Sequence, residues 1–204
     1  GSIPLGTAII LNYKSKKMIN KFPRLFIISL LLLASNIQAK TITTEEYARS
    51  AWGDIENVEI NTVKINDSLY LLYGIGGNIA VSIGKDGVLI VDDQLPLIFP
   101  KIEKAIKRLS KKDIIYTINT HWHWDHADGN LALNTDITKI ISHSNARKNM
   151  SEGGLINMGV TKLNQDPYPE EALPVITHDN GMTLYFNDEK IDILHFGPAH
   201  TTGD

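Results

Sequence analysis

The chain has 204 residues, of which 43% are hydrophobic and 21% charged, and a formal net charge of −3. That supports one globular domain with a proper core. With no cysteine, disulfides, zinc-finger thiolates and thiol catalysis are excluded.

Residues 1–17 precede the first plausible initiator, Met18, and are read as upstream sequence outside the domain. Met18 is followed by Lys21 and Arg24, then by the apolar run Leu25 to Ala34 and the segment Ser35 to Ala39. A basic start, a short apolar run and a small residue before a polar stretch describe a secretory signal peptide over residues 18–39, cleaved after Ala39. The run is too short to span a bilayer comfortably, so no stable membrane anchor is expected after cleavage, and the product is expected in the bacterial periplasm or secreted. Residues 1–39 hold five basic side chains and no acidic one, so residues 40–204 carry 15 basic against 23 acidic groups, a formal charge of −8. Such a surface disfavours polyanions, and no nucleic-acid partner is expected.

The domain over residues 40–204 opens with strand-like patterns. Val58 to Ile65 mixes apolar and polar residues, and Leu69 to Tyr73 is a second strand candidate. A glycine-punctuated turn at Gly74 to Asn78 leads to the alternation Ile79, Val81, Ile83, and Lys85-Asp86-Gly87 forms a further turn. Val88 to Val91 is continuously apolar, as suits a strand buried on both faces. Together these predict a β-meander. The period then changes: Ile102, Ala105, Ile106 and Leu109 form a helical stripe, predicting an amphipathic helix on a sheet. Ile114 to Ile118 reads as a buried strand, Ala127 to Leu133 as a short helix, Lys139 to Ser142 as a strand and Ser144 to Met150 as a helix. Residues 151–173, rich in Gly, Pro, Asn and acids, are expected to form a long loop of the kind used as a lid or binding loop. Strands are expected again at Pro174 to Thr177, Met182 to Phe186 and Lys190 to Phe196. There is no internal repeat and no low-complexity tract.

Chemistry concentrates just past the strand at Ile114 to Ile118. His121, His123, Asp125 and His126 form the pattern H-x-H-x-D-H, placing three imidazoles and a carboxylate within six residues. Zinc is held by neutral imidazole nitrogens and carboxylate oxygens, usually tetrahedrally. Histidines two apart in extended backbone point the same way, so His121 and His123 can grip one ion. Asp125 and His126 lie where the chain turns toward a helix and can reach a neighbouring position. A catalytic site needs a third protein ligand and an open position. His200, in a Gly-Pro-Ala-His-Thr loop after a predicted strand, is the natural candidate. His143, His178 and His195 lack such a context and are read as structural or surface residues. Trp122 and Trp124 are read as packing beneath the site. Asp92 and Asp93 end the strand Val88 to Val91; one of them is expected either to anchor the ligand loop or simply to terminate the strand.

The runs Thr120 to His126 and Gly197 to Asp204, in that order, with the Gly76-Gly77-Asn78 turn and the Val91-Asp92-Asp93 strand end, resemble the metallo-β-lactamase superfamily. The resemblance covers roughly Val58 to Asp204. It implies an α/β fold, a four-layer αββα sandwich with metals at one sheet edge. It also implies that His121, His123 and His200 hold a first zinc, and that Asp125 and His126 contribute to a second. The family completes that second site with a bridging Asp or Cys and a final His downstream, so the chain is expected to be C-terminally incomplete, lacking the last strands and helix. Asp204 is read as the start of a further strand and not as the bridge.

The implied chemistry is metal-dependent hydrolysis of a small molecule with a carbonyl or ester-like group, using one or two Zn²⁺ ions, with Asp125 as the catalytic carboxylate that orients the nucleophilic water or accepts its proton. The resemblance is stronger to exported family hydrolases of unassigned substrate than to β-lactamases, which stand as the alternative. An iron-dependent oxidoreductase on the same fold, or an inactive fragment, are further alternatives. Oligomeric state is not legible.

Overall fold

The computed structural model describes residues 40–159 and 161–204. The leader assigned to residues 1–39 lies outside them. No helix among the described residues is long and apolar enough to cross a membrane.

The first described elements were not expected from the sequence pattern. Strand β1 (Lys40–Thr43) leads into helix α1 (Thr44–Trp52). The Thr43 hydroxyl accepts from Glu46 N at 3.1 Å, and the Glu46 carboxylate accepts from Thr43 N at 2.9 Å. This reciprocal cap satisfies two amides that a helix start otherwise leaves unpaired.

The expected meander follows as β2 (Asn61–Lys64), β3 (Leu69–Tyr73), β4 (Ile79–Ile83) and β5 (Val88–Val91), each antiparallel to the next. Helix α2 (Phe99–Leu109) starts three residues before its apolar stripe, with Pro100 in the first turn, where its missing N–H costs nothing. It returns the chain to β6 (Ile114–Ile118), parallel to β5. The short helix α3 (Trp124–Ala127) and a 3-10 turn (Asp128–Ala132) follow, then β7 (Lys139–His143) and helix α4 (Ser144–Glu152).

Residues 151–173 do not form one long loop. They contain a hairpin of β8 (Gly154–Asn157) and β9 (Thr161–Gln165), then a 3-10 turn (Glu170–Ala172). Strand β1 pairs parallel to β9, giving a small sheet in the order β1-β9-β8. The hairpin is hidden in the sequence because it buries so little: in β8 and β9 only Ile156, Leu163 and Gln165 are buried.

Strand β10 (Ile176–His178) begins later than expected, since Pro174 has no N–H to give a ladder. The last hairpin is β11 (Gly181–Phe186) with β12 (Glu189–Leu194). The final strand stops before Phe196, which is 92% exposed.

The main sheet has seven strands in the order β10-β7-β6-β5-β4-β3-β2, with β5, β6, β7 and β10 parallel. Alternation along β5 sorts its two faces. Val88 and Ile90 join one apolar cluster with Phe99, Ile102, Ala105 and Ile106 of α2. Leu89 and Val91 join another with Ile118, Ile141, Phe186 and the inward residues of the β11–β12 hairpin. Helix, seven-stranded sheet and a second β layer thus stack in the α, β, β order of the αββα expectation, with the β11–β12 hairpin as the second β layer among the described residues. Fully burying each such aliphatic side chain contributes about 1.5–3 kcal/mol. The run His121 to His126 then follows the carboxyl end of the parallel strand β6, where loops converge.

Candidate metal centre

Strand β6 ends at Ile118, and its exit loop carries the histidines. His121 is buried, His123 is half-buried, and His200 arrives from the loop after β12. One nitrogen from each of these three rings lies within 4.8 Å of the others. The rings meet edge to face, with centroids 4.9 Å apart for His121 and His123, 5.1 Å for His121 and His200, and 4.7 Å for His123 and His200.

The hydrogen-bond network fixes which nitrogen of His121 is free. Thr120 Oγ1 donates to Asp92 Oδ2 at 2.9 Å, so the same oxygen accepts from His121 Nδ1 at 3.0 Å. The proton on Nδ1 leaves Nε2 as a bare lone pair. That atom is buried and has no hydrogen-bond partner among the described residues. His200 Nε2 and His123 Nδ1 stand 3.0 Å apart. A direct bond would need a proton on one of them, whereas a shared cation satisfies both lone pairs. The donor set therefore fits a divalent ion that takes imidazole ligands. Burial, with the neighbouring His126, His123 and His200 rings, pulls His121 down to about 3. Burial and His200, against the opposing charge of Asp125, pull His123 down to about 4. Both rings are therefore neutral and competent as ligands near pH 7.

Asp125 and His126 stand beside this group. The His126 ring centroid is 4.3 Å from that of His121, and His126 Nε2 is 3.7 Å from Asp125 Oδ2. His126 Nδ1 donates to Asp92 Oδ2 at 2.7 Å, which turns Nε2 toward Asp125. Burial alone would lower the His126 pKa, but the Asp92 hydrogen bond and the charges of Asp92 and Asp125 raise it. The spacing thus brings Asp125 and His126 together beside the three histidines.

The turn after β3 presses on that pair. A Cβ on Gly77 would lie 2.5 Å from the His126 ring, and one on Gly76, whose φ is +71°, would lie 3.0 Å from the Asp125 carbonyl oxygen. Gly77 N donates to that carbonyl at 3.0 Å. The glycines are thus required by the close approach of the ligand loop as well as by the turn.

The two strand-end acids divide their work. Asp92 holds Thr120 N at 2.8 Å, the Thr120 hydroxyl and His126, so it is the anchor of the ligand loop. Asp93 points into the interior, where it accepts from Thr117 Oγ1 and Asn119 Nδ2 at 3.2 and 3.1 Å. Burial, reinforced by the charge of Asp92, drives its pKa well up.

Other sequence assignments resolve as follows. Trp124 is buried against Tyr47 and Trp52, with centroids 5.9 and 5.2 Å away, and so packs beneath the loop. Trp122 is half-buried and packs on a small cluster of Ala127, Met150, Tyr168, Ala172 and Leu173. His143, His178 and His195 form a cluster of their own, with ring centroids 5.6 Å apart for His143 and His178 and 4.1 Å for His143 and His195, and His143 and His178 share a cavity with His121. His143 uses both ring nitrogens, accepting from Asn145 N and donating to the Asp179 carbonyl. The Asp204 carboxylate ties down Ala199 N and Thr201, bracing the loop that carries His200. Sequence reasoning missed Thr120 and Gln165, whose roles depend on contacts across the fold.

A cleft of about 790 Å³ opens over His123, Asp125 and His200. Tyr47 and Trp52 of α1, Trp122, and Leu155 and Met158 from the β8–β9 hairpin supply its apolar lining. Its described lining residues include no lysine or arginine.

Residues 73–204 match the Metallo-beta-lactamase superfamily. The structure is similar to a class B3 di-zinc metallo-β-lactamase from an Alaskan soil metagenome, with 21% identity and a TM-score of 0.62 over 80% of this chain and 60% of that one. It is also similar to a Cronobacter sakazakii metallo-β-lactamase with a HARLDQ motif (19% identity, TM-score 0.60, 71% of this chain and 56% of that one). A subclass B3 metallo-β-lactamase of Bradyrhizobium japonicum gives 19% identity and a TM-score of 0.58 over 76% of this chain and 57% of that one. The chain thus spans between 56% and 60% of the length of these solved structures.

Proposed function

Because the chain belongs to the metallo-β-lactamase superfamily, we propose that it is a zinc-dependent hydrolase of a small molecule bearing an apolar group and a carbonyl or ester-like bond. The observation that carries this reading is the convergence of His121, His123 and His200 within 4.8 Å, with His121 Nε2 buried and unpartnered among the described residues. His121, His123 and His200 would hold one zinc ion, and Asp125 and His126 would contribute to a second.

Zinc bound there supplies Lewis acidity, bringing the pKa of water to about 7 and polarising a carbonyl. The protein's own residues do the rest. Asp125 lines the cleft beside the three histidines and is the group that takes up or orients the proton of the attacking water. Thr120 and Asp92 hold the His121 tautomer with its lone pair inward. Tyr47, Trp52, Leu155 and Met158 give the substrate an apolar surface. Residues 18–39 would direct export to the periplasm or beyond.

Metal analysis of the purified chain is expected to return zinc, and turnover of chromogenic aryl esters and lactones is expected to stop with a chelator and return with zinc. Alanine at His121 or His123 removes a ligand whose ion contributes several kcal/mol to catalysis, so kcat/KM is expected to fall roughly 1,000-fold. Full zinc stoichiometry in the double alanine variant would refute the ligand assignment. Iron with oxygen-dependent turnover would replace the hydrolase reading by a redox one. A second reading, β-lactam hydrolysis, is favoured by the B3 neighbours. Chelator-sensitive nitrocefin turnover would select it.

A further inference from the structure

Strand β9 ends on Gln165, whose side chain leaves its own sheet to meet the ligand loop. Gln165 is 3% exposed. Its Nε2 donates to the Trp122 carbonyl at 2.7 Å, and its Oε1 accepts from Trp124 N at 3.1 Å. Those two groups belong to the peptide bonds on either side of His123. Nε2 also donates to Tyr168 Oη at 3.3 Å, and the Tyr168 hydroxyl donates to Asp128, just past His126. Tyr168 and Asp128 are themselves 7% and 9% exposed. One buried polar chain therefore grips the ligand loop on both sides of His123 and again beyond His126.

The chemistry requires a carboxamide. A carboxylate can only accept, and an isobutyl group can do neither. With its flanking peptides held, the direction of the His123 ring is set before any ion arrives, which removes an ordering cost from metal binding. We propose that Gln165 is a positioning residue for the metal centre, clamping both peptide groups that flank His123 and so setting the affinity and geometry of the three-histidine site. The proposal rests on the reading of that site as metal-binding.

Gln165→Leu removes both bonds at nearly constant volume. Gln165→Glu keeps the bond from Trp124 N but sets a carboxylate against the Trp122 carbonyl. Leu163→Ala is the control: this fully buried β9 residue packs in the core cluster and makes no hydrogen bond to the ligand loop. Zinc affinity of the purified chain is measured by competition with a chromophoric chelator, cobalt is substituted to record its ligand-field bands, and unfolding is followed without metal.

Both Gln165 variants are expected to lose about 10–100-fold in zinc affinity, as for other residues that orient ligands, with shifted or weakened cobalt bands. Leu163→Ala is expected to unfold at lower temperature while keeping its zinc affinity within about threefold and its cobalt spectrum. Should the leucine variant fail to fold, the glutamate variant gives the same reading. Wild-type affinity and spectrum in the Gln165 variants would overturn the proposal, as would an equal affinity loss in Leu163→Ala. Failure of the wild-type chain to bind zinc would instead remove the metal-site reading itself.

Discussion

Asp92 shows how much one carboxylate does at this site. It sits in the left-handed region at φ 63°, where a non-glycine residue is uncommon, and that backbone turn aims its oxygens into the ligand loop. Asparagine tolerates the same conformation, so Asp92→Asn keeps the turn while removing the charge and one acceptor. The variant is expected to bind the second ion, beside Asp125 and His126, about 10–100-fold more weakly, and the first ion less affected. Titration with zinc against a competing chelator checks this, and two unchanged binding steps would contradict it. The pH dependence has a definite sign. Because the folded His126 pKa is raised, its pairing with Asp92 stabilises the metal-free fold below the ordinary value of 6.5 and is lost as pH rises through the folded value. Asp92→Asn should flatten that decline. The meeting of His121, His123 and His200 was legible in the sequence because the H-x-H-x-D-H run is nearly contiguous and the Gly-Pro-Ala-His-Thr loop follows a strand. The division of roles between Asp92 and Asp93 was not legible. Neighbouring residues at a strand end point to opposite sides, and only the fold says which side holds the ligands.

At the scale of elements, the meander, the α2 stripe and the β6 strand were readable because each has a clean periodicity over a large buried face. The β1-β9-β8 sheet was not. Its strands bury few side chains, one of them the polar Gln165, and β1 finds its partner more than a hundred residues away. Yet this sheet and α1 wall the cleft and support the ligand loop from below. Trp52 serves both purposes, packing on Trp124 and lining the cleft. Trp52→Ala is therefore expected to raise KM for substrates with an apolar group by about 10-fold, consistent with roughly 1.4 kcal/mol of lost aromatic contact, while kcat changes little. Steady-state kinetics across aryl and short-chain alkyl esters would check it. A fall in kcat with KM unchanged would mean that Trp52 acts on the ligand loop instead of on the substrate.

Two apolar clusters close on the faces of one sheet, and the buried acids among the described residues lie near the carboxyl ends of its parallel strands. Asp92, Asp93 and Asp128 are all buried there, close to the metal ligands. Burial of charge opposes folding, so this edge favours function over stability. Asp128 makes the cost measurable. Burial, opposed by the Tyr168 hydrogen bond and reinforced by the charge of Asp125, raises its pKa from 3.8 to about 7. The folded chain therefore holds a proton on Asp128 that the unfolded chain has released, and stability present below 3.8 declines as pH rises to about 7. At ~1.4 kcal/mol per pH unit, the decline from this one group is at most about 4 kcal/mol. Asp128→Asn carries no proton to lose, and its carbonyl still accepts from Tyr168. Without metal, its denaturation midpoint is expected to match the wild type near pH 4 and to exceed it increasingly toward pH 8. A variant less stable than the wild type at pH 8 would mean that the ionised carboxylate supports the fold, and that the buried edge is held by charge and not by neutral hydrogen bonding.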